Sequence, residues 1–229
     1  MKIICVARNY AAHAKELNNP LPEKPVIFLK PDSAILRSDM PFFLPDFSKK
    51  MHYEGELVLK ICKLGKNIKE EFAKTYYDEV TVGIDFTARD LQEECKKNGH
   101  PWEIAKAFDQ SAAFGEFIKI SDLPDLDEVG FHFDLNGELV QKAKPTDMIF
   151  SIDHIISYVS QFFTLKMGDL LYTGTPVGVG TVKIGDLMEG YIMDKKLLSV
   201  NIINAVQIGK LTIYKIDETA FDKIKLKDG

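Results

Sequence analysis

His52-Tyr53-Glu54-Gly55-Glu56-Leu57-Val58-Leu59-Lys60 reads as a strand, polar at one end and apolar at the other. In a strand, residues two apart share a face. Glu54 and Glu56 then project the same way, with their α-carbons ~7 Å apart. Two carboxylates so placed can converge on one cation, and Gly55 between them leaves the opposite face open. The competing reading is an exposed strand with solvated glutamates, since Glu is mostly found in water.

Outward from this stretch the chain reads as short strands with few helices. Toward the N-terminus, Ile3–Ala7 is a buried strand. It runs into Arg8–Leu17, where Ala11, Ala12 and Ala14 favour helix and Asn18-Asn19-Pro20 supplies the stop. Val26–Lys30 is a second strand, followed by a loop-rich segment from Pro31 to Lys50. Toward the C-terminus, Glu70–Tyr77 reads as a short helix. Glu79–Phe86 reads as a strand that feeds a helix over Thr87–Lys97. Thr87 and Asp90 have the spacing of a capping box, and Gly99 with Pro101 ends that helix.

Phe131–Leu135 and Glu138–Gln141 flank Asn136-Gly137, a hairpin turn pair. Ser151 caps a helix with Ile152, Ile155, Ile156, Val159 and Phe163 on one face. From Leu170 to Leu226 the glycines Gly174, Gly178, Gly180, Gly185, Gly190 and Gly209 punctuate apolar runs. The pattern predicts an α+β, mainly β fold in one domain over residues 1–229, without the βαβ alternation of a doubly wound sheet.

Composition narrows the function classes. The 229 residues are 45% hydrophobic and 28% charged, an ordinary globular balance. A net charge of −5, with no basic block, argues against a nucleic-acid or anionic-membrane surface. Cys5, Cys62 and Cys95 are scattered and form no CxxC pair. A zinc site or disulfide framework is therefore disfavoured, and a cytoplasmic setting is expected. Ile3–Ala7 is far shorter than the ~20 residues that cross a bilayer and lacks a cleavage site, so the chain is expected to begin directly with a folded strand.

Asp85 adds a third acid. It ends the apolar run Thr81-Val82-Gly83-Ile84 just before a helix start, where a carboxylate serves as a helix partner or as a ligand. Three carboxylates without a Cys or His partner make a hard oxygen site, suited to Mg²⁺ or Mn²⁺. The glycine-rich Thr173–Gly180 lacks the ending of a phosphate-binding loop. No Gly-x-Ser-x-Gly or His-Glu-x-x-His motif occurs.

Glu54-Gly55-Glu56-Leu57, the run Asp85–Gln92, and Gly99-His100-Pro101-Trp102 with Lys106 together resemble the fumarylacetoacetate hydrolase family. Within it they resemble the short acylpyruvase and oxaloacetate decarboxylase branch. Arg8-Asn9-Tyr10 with His13 and Glu16, Phe28-Leu29-Lys30-Pro31, Met148-Ile149-Phe150-Ser151 and Thr173-Gly174-Thr175-Pro176 extend the match from residue 8 to residue 180. The resemblance implies a mixed β-sandwich roll, a homodimer, and a divalent cation held by Glu54, Glu56 and Asp85. It also implies a keto-acid substrate bound through its α-keto carboxylate.

The remaining candidates are ambiguous from the residues alone. His13 and Glu16, three apart on a helix, form a surface pair or a dyad in which Glu16 orients a His13 base. The resemblance implies the dyad, on a lid over the metal. Lys106, between Trp102 and Phe108, is surface charge or an enolate-stabilising ammonium. Arg89 and Gln92, three apart on the helix after Asp85, hold substrate or metal-bound water, or simply face solvent. Thr175, by resemblance, contacts the substrate carboxylate, and Lys30 is a further candidate.

The expected activity is therefore metal-dependent cleavage of a carbon–carbon bond in acylpyruvates (2,4-dioxo acids), with oxaloacetate decarboxylation through the same enolate. A 2-hydroxyhepta-2,4-diene-1,7-dioate isomerase or a decarboxylase of aromatic catabolism is the nearest alternative. A noncatalytic metal-dependent binding protein is the alternative of another class.

Overall fold

Apolar β-formers in short runs, separated by turn residues, build sheets that fold over one another. The structure, a computed structural model, describes residues 1–16, 21–37, 40–208 and 211–214, with side chains described except at 13–15 and from 205 onward. Among these residues the largest sheet runs in the order Val26–Lys30, Ile3–Ala7, Leu170–Tyr172, Gly55–Ile61, Tyr77–Asp85, Ala112–Phe114 and Ile35–Leu36. Ile118–Lys119 pairs with Tyr77–Asp85 off this path.

The second sheet runs Glu138–Ala143, Phe131–Leu135, Leu187–Ile192, Lys195–Ile208 and Leu211–Tyr214, with Phe42–Leu44 beside Lys195–Ile208. A small third sheet joins Gly180–Thr181, Met51–Tyr53 and Thr87–Ala88. The fold is thus mainly β with a few short helices. No helix among the described residues is long and apolar enough to cross a membrane.

The run from His52 to Lys60 is not one strand. Met51–Tyr53 belongs to the small sheet and Gly55–Ile61 to the large one, so the chain changes sheets at Glu54. The same switch occurs next to Asp85: Tyr77–Asp85 ends in the large sheet, and Thr87–Ala88 begins in the small one. The two switch points face each other, with Gly55 opposite Ile84 and His52 opposite Thr87. Asp85 N donates to Glu54 O at 2.8 Å.

Packing explains Gly55. A β-carbon there would collide with the ring of Phe133, which reaches across from the second sheet and is fully buried. The face that the sequence leaves open is filled by that sheet.

Several local expectations are corrected. Thr87 does not cap a helix. The helix is Arg89–Asn98, Ala88 precedes it without a side-chain cap, and the Thr87 hydroxyl is engaged elsewhere. Gly99 ends it in a left-handed conformation, as its position implied. The first helix covers Ala11–Glu16 rather than starting at Arg8, because Arg8 has φ 59° and Tyr10 bridges to Met148. Its expected end at Leu17 and stop at Asn18-Asn19-Pro20 lie outside the described residues, as do Gly209 and the run past Tyr214. Glu70–Tyr76 is a 3₁₀-helix. The loop-rich segment contains the short strands Ile35–Leu36 and Phe42–Leu44. The Asn136-Gly137 hairpin and the Ser151 cap are present; Ser151 Oγ accepts from His154 N at 3.2 Å.

Candidate active site

Glu54, Glu56 and Asp85 converge for a reason of register. Glu54 and Glu56 are two apart, and Asp85 pairs across from Glu54 at the end of the next strand, so all three lie on one face. One carboxylate oxygen from each lies within 4.8 Å of the others, and all three residues are buried. Glu56 Oε2 accepts from Gly174 N at 2.7 Å. Gly174 adopts φ +101°, and a β-carbon there would press on Asn9, so only glycine presents its amide this way.

Basic groups surround these acids. Lys106 Nζ donates to Glu54 Oε2 and Asp85 Oδ2, both at 2.7 Å, and to Thr87 Oγ1 at 2.6 Å. Its ammonium also lies 5.2 Å from the centre of the Phe28 ring. Lys30 Nζ lies 2.8 Å from Asp85 Oδ1 and is anchored by the carbonyls of Lys106 and Ser111 and by Ser111 Oγ. Arg89 pairs with Glu54 through Nη2, donates to Gln92 Oε1 at 2.6 Å, and reaches His52 Nδ1 at 3.4 Å. By formal charge, three carboxylates meet three cations.

Electrostatics follow from burial. Desolvation, then the Asp85 and Glu54 charges, push the Glu56 carboxyl well above its usual range, against the opposing Gly174 amide and Lys106. Burial disfavours the Lys106 ammonium, yet Asp85 and Glu54 outweigh it and raise its pKa. His52 is lowered to about 4 by desolvation and then by Arg89, so its ring is neutral and can accept from the guanidinium. Cys5 is buried and its thiol pushed up by desolvation, which removes it as a nucleophile.

The residues fit a divalent cation. The donors are all hard oxygens, and Asp85 Oδ1 is buried without a hydrogen bond, since the Lys30 contact is close but poorly aligned. Among the described residues Glu56 has no lysine or arginine at ion-pair distance, so a bound cation would compensate its buried charge. The cavity they face measures about 30 Å³ and is also walled by Arg8, Phe28, Lys96, Trp102 and Thr175. A groove of about 300 Å³ adjoins it at Phe28, Trp102 and Lys106.

The candidates separate clearly. Glu54, Glu56, Asp85, Lys106, Lys30, Arg89, Gln92 and Thr175 come together in one buried cluster. Glu16 stands outside the cavity walls and accepts from Gly178 N at 3.2 Å. His13 lies on the helix Ala11–Glu16, and its side chain is outside the described residues.

Gln141 escapes the sequence reading. It is buried, accepts from Gly55 N at 2.8 Å, and donates to Thr175 Oγ1 at 2.9 Å and Pro176 O at 2.8 Å. Thr175 Oγ1 in turn donates to Gly55 O at 2.8 Å. Its signal was a polar residue at an inward strand position, two residues from buried Ala143. Arg8 and Thr87 were likewise not singled out as site residues.

The mouse mitochondrial oxaloacetate tautomerase FAHD1 (Mus musculus) is 44% identical over 190 residues, covering 83% of this chain and 86% of the mouse protein. Among solved structures, the Pseudomonas aeruginosa fumarylpyruvate hydrolase in complex with Mn²⁺ and pyruvate is similar with a TM-score of 0.84 at 38% identity. The match covers 89% of this chain and 90% of that one. The Mycobacterium marinum 2-hydroxyhepta-2,4-diene-1,7-dioate isomerase follows with a TM-score of 0.78 at 32% identity, covering 90% and 75%. The model of the fumarylacetoacetate (FAA) hydrolase C-terminal family matches residues 2–213, and the chain belongs to that family.

Proposed function

We propose that this protein interconverts the enol and keto forms of a 2-oxo acid bearing a second carbonyl, with oxaloacetate as the test substrate and a divalent metal as cofactor. The observation that carries the reading is the burial of Lys106 and Lys30 against the carboxylates Glu54 and Asp85. Cationic charge is thereby fixed beside the cavity that the carboxylates face. The likeness to oxaloacetate tautomerases supports it.

A Mg²⁺ or Mn²⁺ held by Glu54, Glu56 and Asp85 would supply Lewis-acid stabilisation of an enolate oxygen. The chain's own groups do the rest. Lys106 has its three donors engaged by Glu54, Asp85 and Thr87, so it acts as fixed positive charge beside the enolate. Gln92, whose Oε1 accepts from Arg89, donates through its amide nitrogen to the carboxylate of the head, and Thr175, held by Gln141 and Gly55, walls the cavity beside it. Phe28 and Trp102 exclude water on one side. His13 handles the proton at C3 and Glu16 orients it. In ketonisation the enol oxygen loses its proton and C3 gains one, so atoms and charge balance.

Acylpyruvate cleavage is the second reading, favoured by the likeness to a fumarylpyruvate hydrolase. There His13 deprotonates water, the hydroxide adds to C4, the C3–C4 bond breaks, and C3 is protonated to give pyruvate and a carboxylic acid. Decarboxylation of oxaloacetate breaks C3–C4 without water and ends at the same pyruvate enolate.

The test follows the ultraviolet absorbance of enol-oxaloacetate with Mg²⁺ present, alongside pyruvate release from acetylpyruvate. Enol decay well above the buffer rate is expected. Acetylpyruvate cleavage with no acceleration of ketonisation would refute the tautomerase reading and leave the hydrolase.

A further inference from the structure

Arg8 and Lys96 line the cavity of the carboxylates yet share none of their ion pairs. Arg8 closes the strand Ile3–Ala7 with φ 59°, a left-handed backbone that disfavours L side chains by about 1–2 kcal/mol. The conformation is imposed from next door. Asn9 is fully buried, donates to Thr173 O at 2.8 Å and Phe150 O at 3.1 Å, and accepts from Phe150 N at 2.8 Å. Asn9 is thus pinned on both sides next to Arg8, which lines the cavity wall.

Lys96 comes from the helix Arg89–Asn98, and its ammonium lies 5.7 Å from the centre of the Trp102 ring. Partial desolvation there, followed by the Arg89 and Arg8 charges, lowers its pKa. Among the described residues neither Arg8 nor Lys96 has a carboxylate at ion-pair distance.

The inner acids and bases already balance, three against three. Arg8 and Lys96 are therefore surplus positive charge at the side of the cavity closed by Trp102. Like charges held together without an anion are destabilising, and such a pair is explained most simply by a ligand that neutralises it. The second route for a substrate tail is the adjoining groove, whose walls are Val26, Phe28, Leu29 and Pro101 with Glu103 among them. His100 and Lys106 border it as well, but the Lys106 ammonium is already engaged by Glu54, Asp85 and Thr87, so the groove wall suits an alkyl tail.

We infer that Arg8 and Lys96 form a subsite for the distal carboxylate of the substrate, making the site selective for 2-oxo dicarboxylates over 2-oxo acids with neutral tails. The inference deepens the proposed function and rests on it for where the head of the substrate lies.

Binding rather than turnover tests it. 2-Oxoglutarate and 2-oxovalerate have the same head and length and differ in the distal carboxylate. Calorimetry with the Mg²⁺-loaded protein should show 2-oxoglutarate bound tighter by roughly tenfold to a hundredfold, the usual worth of a charge-assisted hydrogen bond. Arg8→Met should collapse that gap while leaving 2-oxovalerate affinity within about twofold, and Arg8→Lys should restore part of it. Lys96→Met, on an exposed helix position, should narrow the gap in a variant whose folding is not at stake. No gap in the wild type, or a gap that persists in both Met variants, would overturn the subsite. A wild-type gap that both Met variants abolish, in a protein that does not accelerate oxaloacetate ketonisation, would refute the tautomerase reading and uphold the subsite.

Discussion

Gln141→Leu tests whether one buried amide braces the site. The side chain spans three partners: Gly55 N at 2.8 Å, Thr175 Oγ1 at 2.9 Å and Pro176 O at 2.8 Å. Leucine has similar bulk and offers none of these bonds. The Gly55 amide and the Pro176 carbonyl would be left buried without this partner, at about 1–3 kcal/mol each. A loss of about 3 kcal/mol of stability is expected, or ~6–12 °C in melting temperature for a chain of this size. Gln141→Glu keeps the acceptor for Gly55 but opposes the Pro176 carbonyl. Because Gly55 sits between two metal candidates, Mg²⁺ affinity by calorimetry should fall in both variants. A loss below about 1 kcal/mol in Gln141→Leu, with unchanged Mg²⁺ affinity, would refute the bracing role.

Chelation should abolish turnover, and Mg²⁺ or Mn²⁺ should restore it; full activity in metal-free protein would remove the carboxylate cluster from the chemistry. Lys106→Met should lower both ketonisation and acylpyruvate cleavage by about 10²-fold, the scale for losing one oxyanion-stabilising group. Wild-type rates in both assays would make Lys106 structural. His52 falls from 6.5 to about 4 in the fold, so its neutral form contributes stability that is present above pH 6.5 and lost as pH drops toward 4. The full shift corresponds to about 3 kcal/mol, reduced to roughly 1–2 kcal/mol because His52 is partly exposed. Urea melts at pH 7 and pH 4 should therefore show a smaller acid loss in His52→Asn than in wild type, and equal losses would count against the shift.

The sequence makes the acids legible and hides what holds them. Glu54 and Glu56 are readable from period two, and Asp85 from its place at the end of an apolar run. Asn136-Gly137 and Gly99 are readable because local backbone geometry dictates them. The break at Glu54 is not, since a strand that changes sheets keeps the same local pattern. Thr87 mimics a helix cap because Ser and Thr serve both caps and strands. What diverts it is Lys106, nineteen positions on, whose ammonium claims the hydroxyl. Gln141 and Arg8 are long-range cases, because their partners lie across the fold at Gly55, Thr175 and the cavity wall. Lys30 and Lys106 look like surface lysines in a linear reading, and only the buried carboxylates opposite explain why their charge is inside.

That buried charge also bears on how the enolate between the two tautomers is stabilised. Lys30, Lys106 and Arg89 cancel Glu54, Glu56 and Asp85, so the cluster is formally neutral. Adding a divalent cation leaves two positive charges at the carboxylates, apart from Arg8 and Lys96 at the side of the cavity. The head of a 2-oxo acid brings one negative charge as the ketone and two as the enolate. The enolate matches this inner charge better than the ketone, and in a medium of low effective dielectric each unmatched charge is worth far more than in solution. Removing either lysine lowers the positive charge by one and shifts that match toward the ketone. The two lysines are therefore not interchangeable with neutral packing of the same volume. They set the charge that favours the enolate over both tautomers of the head.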